Sequence, residues 1–136
     1  MPTFLADARI TTDGAVVELR APRGYSPPLQ INHREDEELV VLAGELTVCS
    51  EGELYVVGAG DSAHFPRGAA HTFVVESDGA HLRTASTRAG IERLHVALGA
   101  PAPGPLDLVR YARVAEIFGI TLVGPPLAPC CQAVCT

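Results

Sequence analysis

Gln30 and Asn32 stand two residues apart, so on a β-strand both amide side chains leave the same face. A carboxylate, Glu37, follows five positions later. Downstream, Gly60, Pro66, Gly68 and His71 are spaced as Gly, five residues, Pro-x-Gly, two residues, His. A carboxylate close to an imidazole favours the protonated ring and makes a pair that gives or takes a proton near neutral pH. Primary amides supply N–H donors that hold or polarise a carbonyl oxygen. If one fold gathers these types, the chemistry they offer is enolisation, isomerisation or ring closure. The bland alternative is an inert network, because buried polar groups pair with one another whether or not chemistry occurs.

The stretch from Pro27 to Gly44 resembles the first motif of the cupin superfamily, a His-x-His pair followed after four residues by Glu and after six more by Gly. Glu37 and Gly44 keep those distances, while Gln30 and Asn32 stand where the two His belong. Gly60 to His71 keeps every spacing of the second cupin motif. The resemblance, which covers roughly Phe4 to Pro126, is to bacterial single-domain cupins labelled quercetin dioxygenase-like. It implies an all-β fold, a cupin β-barrel or jelly roll, with Gln30, Asn32, Glu37 and His71 converging at its centre. In metal-binding cupins the matching positions hold a divalent transition ion. Imidazole suits Fe, Cu, Ni and Zn, whereas an amide carbonyl is a harder and weaker donor for them. We therefore expect no cofactor and no tightly held metal, and any weak divalent ion would rest on Gln30, Glu37 and His71. His33 cannot replace Asn32, because adjacent strand residues face opposite ways.

The elements that must position these residues read as strands. Phe4 to Ala21 predicts short strands around a Thr11–Gly14 turn, and Glu37 has the wrong parity for one straight strand with Gln30, which predicts a bend over 34–36. Leu39–Leu42 reads as a buried strand. Glu45–Cys49 and Leu54–Val57 flank a hairpin loop, and further strands follow at 63–65, 71–75 and 81–87 between Gly/Pro/Asp turns. After Gly90 the pattern changes: 91–98 predicts a short helix, Ala100–Pro105 a linker, Asp107–Phe118 a helix stopped by Gly119, and Ile120–Pro126 an extended segment. We divide the single domain into a barrel core, 1–90, and a helical C-terminal appendage and tail, 91–136.

The balance of the chain narrows the partners. At 136 residues with a net charge of −6 and no Lys/Arg cluster, it lacks the positive patch that nucleic acid requires. No apolar run is long enough to span a bilayer and no signal-peptide pattern opens the chain, so a cytoplasmic protein without a membrane partner is expected. Four Cys in that compartment are expected to be reduced. Cys49, on an apolar strand without an activating base, reads as a small core residue, and the Cys130, Cys131, Cys135 spacing fits no zinc pattern well. Pairing of two copies as a homodimer would cover an exposed sheet edge.

These expectations favour an enzyme that folds an apolar small molecule, polyketide-like in the cyclase version, and assists cyclisation or isomerisation. Glu37 and His71 would be its acid/base pair and Gln30 and Asn32 its substrate donors. Arg83, on a strand with polar residues on both faces, is a further substrate-binding candidate for an anionic or ketone oxygen; the alternative is a solvated outward side chain, since Arg is seldom buried unpaired. The other two readings are a metal-dependent quercetinase-like dioxygenase and a non-catalytic binding module.

Overall fold

The structure, a computed structural model, describes residues 6–11, 14–87, 93–94, 97–98 and 107–128. Among the described residues, ten strands form two five-stranded antiparallel sheets. One sheet, in the order β1 (Ala6–Thr11), β2 (Gly14–Pro22), β9 (Gly79–Ser86), β4 (Glu37–Ala43), β7 (Ser62–Phe65), faces the other, in the order β10 (Ile120–Gly124), β3 (Leu29–Asn32), β8 (Ala70–Val75), β5 (Glu45–Ser50), β6 (Glu53–Gly58). Only one helix, α1 (Leu108–Ile117), is described in full, and 93–94 and 97–98 are helical as expected for 91–98. The predicted 100–105 linker and the Cys130, Cys131, Cys135 tail lie outside the described residues.

Between the sheets, period-two alternation sends Val17, Leu19, Leu39, Val41, Leu46, Val48, Phe73, Val75 and Leu82 into one apolar core. Each such side chain contributes about 1.5–3 kcal/mol on burial. Alternation also corrects the expectation of a uniformly buried 39–42 strand. On β4, Leu39 and Val41 point inward while Leu42 is exposed, because this strand has one core face and one outer face.

Two turns account for much of the sequence punctuation. At Glu51–Gly52 both residues have positive φ, 53° and 83°, the two-residue geometry whose twist matches the flanking strands β5 and β6. Gly44 has φ +96°, and a Cβ there would meet the Gly79 carbonyl oxygen at 2.6 Å and Ser77 Oγ at 2.7 Å. Any side chain at this motif position would drive the β4–β5 turn off the β8–β9 turn.

The outer face of the second sheet carries a smaller cluster, Leu29, Cys49, Val74 and Leu127. Cys49 is buried there, yet it is disulfide-bonded, which corrects the expectation of four reduced thiols. Leu54, Tyr55 and Val56 on the edge strand β6 are exposed. No described helix is long and apolar enough to cross a membrane.

Candidate functional site

The chain crosses from one sheet to the other between Asn32 and Glu37, through bends at 33–34, in agreement with the parity argument. Asn32 Oδ1 accepts from the backbone N–H groups of Arg34 (3.0 Å) and Glu35 (3.1 Å), an Asx-type turn that makes the crossing tight. This fixes the amide's orientation, and Asn32 Nδ2 donates to Glu37 Oε1 across the gap at 3.1 Å. The second motif is tied to the first through its backbone, where Gly68 N–H donates to the Asn32 carbonyl at 2.9 Å.

His71 completes the set. It lies opposite Gln30 in the β3–β8 register, and its Nε2 is 3.2 Å from Glu37 Oε2. Its Nδ1 faces the Ala69 carbonyl at 3.1 Å, an atom that can only accept. A ring nitrogen facing a carbonyl must carry its proton, so one further proton lies on the line between Nε2 and Glu37. Burial works against charge on this ring, but the hydrogen bond and charge of Glu37, with the Ala69 carbonyl, outweigh it and hold the His71 pKa above its ordinary value of 6.5. Phe65 stacks on the ring, centroids 4.2 Å apart and 11° from parallel, which fixes its plane.

Gln30 behaves differently from Asn32. Its Nε2 donates to the Pro28 carbonyl at 3.0 Å and to Tyr111 Oη at 3.1 Å, while its Oε1 is buried without a partner. Tyr111 comes from α1, whose Asp107 cap accepts from Arg110 N–H at 3.1 Å. Tyr111 and Ala115, one turn apart, pack with Leu94 and Ile120. The far end of α1 is held by Arg34 Nη1 donating to the Ile117 carbonyl at 3.2 Å and by His33 N–H donating to the Gly119 carbonyl at 3.0 Å. The segment read as an appendage thus supplies both a strand beside β3 and a wall of the site. Burial, reinforced by Tyr25 and Glu37, pushes the Tyr111 pKa up although the Gln30 donor pulls it down; the phenol stays protonated. Tyr25 is likewise pushed up to about 12 by burial.

These side chains surround a cleft lined by Gln30, Glu37, Phe65, His71, Thr84 and Tyr111, among others, with a cavity volume of about 30 Å³, room for roughly two waters. Three of the five expected site residues, Gln30, Glu37 and His71, line it; Asn32 stands behind Glu37 with its amide engaged by that carboxylate and by the Arg34 and Glu35 N–H groups, which corrects its assignment as a substrate donor. Arg83 does not reach the cleft: it is exposed, while its neighbours Leu82 and Thr84 are buried on the inner face of β9. Strand parity alone turns it to solvent, which corrects its assignment to the substrate. Sequence reasoning missed Tyr111 and Thr84. The only signal for Thr84 was the polar character of its strand, and for Tyr111 there was none beyond its place on a helix.

The metal that related folds hold can be tested against this geometry. Both His71 nitrogens face oxygen acceptors, the Asn32 oxygen is turned to the backbone, and both Glu37 oxygens carry hydrogen bonds. Among the described residues no group of three His, Cys, Asp or Glu could hold a metal ion. A transition ion prefers imidazole and carboxylate donors, and Glu37 and His71 with the open Gln30 oxygen as a weak third are a donor set that does not fit a tightly held one.

Residues 11–86 match the family model described as a cupin domain. The chain is 29% identical over 141 residues to quercetin 2,3-dioxygenase of Bacillus subtilis (strain 168), covering 96% of this chain and 42% of that protein. A match at 41% identity to endoribonuclease YbeY of Myxococcus xanthus (strain DK1622) spans 66 residues, 48% of this chain and 22% of that one. The chain thus spans less than half the length of these curated relatives. Among solved structures, a sugar phosphate isomerase of the cupin superfamily from Silicibacter pomeroyi superposes with a TM-score of 0.53 at 25% identity, over 58% of this chain and 53% of that one.

Proposed function

This chain belongs to the cupin family, and from that footing we propose that it is an enzyme that moves protons on a small carbonyl compound, an isomerase working through hydrogen bonds without a bound metal. The relatives' names leave the reaction class between isomerisation and dioxygenation. The observation that supports the first is the buried contact of His71 Nε2 with Glu37 Oε2 at 3.2 Å in the wall of the cleft.

In this reading the Glu37 carboxylate takes the proton from the carbon beside the carbonyl. The electron pair forms the C=C bond, and the oxygen that gains charge is held by the Tyr111 O–H. His71 stabilises Glu37 before and after the transfer, and as the C=O re-forms the same carboxylate returns the proton either to the original carbon or to the far carbon of a conjugated C=C. Positioned acid–base groups of this kind give about 10²–10⁴-fold. Asn32 is a positioning residue, since its amide orients Glu37 and reaches the substrate only through it. Cyclisation of a polyketide-like chain asks for more space than about 30 Å³, so only the reactive end of a long substrate would enter.

The test is solvent hydrogen exchange. In D2O, proton NMR on a panel of small ketones and hydroxyketones should show enzyme-dependent C–H to C–D exchange for at least one, lost in Glu37→Gln. A stoichiometric transition metal in protein purified without chelator would overturn the metal-free reading and restore the dioxygenase. A retained ligand without exchange on any compound would leave a binding module. The same proposal includes pairing of two copies over the exposed β6 edge, which a monomeric mass by light scattering at micromolar concentration would refute.

A further inference from the structure

Two residues that line the cleft each carry a buried polar atom without a partner: Gln30, 3% exposed, its Oε1, and Thr84, 7% exposed, its Oγ1. The Gln30 amide cannot be turned round to relieve this, because its nitrogen faces the Pro28 carbonyl, which accepts only. Gln30 Oε1 therefore requires a donor. The Tyr111 oxygen already accepts from Gln30, so its own O–H is left to donate, and burial keeps that proton in place. Thr84 lies on the opposite sheet, paired with Leu39 and hence diagonal to Glu37 on the same inner face. Buried polar atoms left unpaired are costly, and such atoms in a cleft mark what its ligand must bring.

We propose that the ligand of the Gln30–Thr84–Tyr111 cleft is a small α-hydroxycarbonyl compound, with its hydroxyl donating to Gln30 Oε1 and its carbonyl oxygen accepting from the Tyr111 and Thr84 hydroxyls. About 30 Å³ holds roughly two waters, so the two oxygens on adjacent carbons would take those two places, with the rest of the compound towards the open side of the cleft. A plain ketone leaves Gln30 Oε1 unpaired, and a diol offers Tyr111 and Thr84 no carbonyl. The inference rests on the proton-transfer reading for its chemistry, which balances without an oxidant. The C–H bond of the carbinol carbon breaks and its proton goes to Glu37, while the electron pair becomes the C=C of an enediolate. The hydroxyl proton passes to the neighbouring former carbonyl oxygen, and Glu37 returns its proton to the other carbon. The product is the isomeric hydroxycarbonyl.

The experiment compares hydroxyacetone with acetone and 1,2-propanediol, each lacking one of the two groups. Backbone amide shifts of the full chain are titrated with each compound, and deuterium uptake into hydroxyacetone is followed in parallel. Hydroxyacetone is expected to bind at least about ten-fold tighter than either comparator, and Thr84→Val to reduce that preference without unfolding the protein. Gln30→Leu is the second variant, expected to bring hydroxyacetone down to acetone. Equal affinity for all three compounds, or a preference unchanged in both variants, overturns the ligand class. Selective binding without deuterium uptake upholds the ligand class and removes the proton-transfer reading instead.

Discussion

The space between the sheets has two ends, and the same strands build both. Along the inner face of β4 the residues run Glu37, Leu39, Val41; along β8, His71, Phe73, Val75; along β9, Ser86, Thr84, Leu82, Ala80. Antiparallel register sets Glu37 beside Ser86 and Val41 beside Leu82, so the polar ends coincide and the apolar ends coincide. The apolar end fills with Val, Leu and Phe and closes. At the polar end Asn32, Glu37 and His71 satisfy one another, while Gln30 and Thr84 keep an unpaired atom each. An inert polar network would be expected to close its own hydrogen bonds; one that leaves an acceptor and a hydroxyl open has the form of a binding site.

Substitutions at the two ends should separate accordingly. Glu37→Gln should lower kcat/KM about 10²–10⁴-fold with the fold retained; a loss below ten-fold would reduce the polar end to shape alone. Leu82→Ala, at the apolar end, should cost about 2–5 kcal/mol of stability in urea unfolding while the exchange reaction of the remaining folded protein is unchanged. pH should act on the polar end only. Because the folded His71 pKa lies above its ordinary 6.5, the ring binds its proton more tightly folded than unfolded. Its stabilisation is then complete below pH 6.5 and is lost as pH rises through the raised value, at a slope of at most about 1.4 kcal/mol per pH unit. His71→Gln should flatten that limb in unfolding titrations, and an unchanged slope would assign it to another group. Smallest is Thr84→Val, which removes an unpaired buried hydroxyl at nearly constant volume and should stabilise the ligand-free protein by about 1 kcal/mol. A destabilised variant would mean that this hydroxyl is already satisfied.

Much of the strand pattern was legible because alternation and turn chemistry are local. The hairpin at Glu51–Gly52, the turn at Pro66–Gly68 and the stop at Gly119 each follow from what a few residues permit in φ. The Gln30, Asn32, Glu37 and His71 set was legible through its spacing and the resemblance it carried. Arg83 was misjudged because a strand with polar residues on both faces does not reveal which parity faces in; Leu82 and Thr84 took the inner face. The pairing of Cys49 was missed because compartment-based reasoning about thiols speaks of averages and not of one buried cysteine on an outer sheet face.

By itself the sequence determined the two-motif barrel and the replacement of imidazole donors by amides at Gln30 and Asn32, since both depend on residue identity at fixed separations. Only the tertiary structure decided which polar atoms remain open. That depends on partners far apart along the chain: Tyr111 reaches Gln30 across 81 positions, and His71 reaches Glu37 across 34. Hydrogen bonds are satisfied in space, and no local pattern records which ones are left unmade.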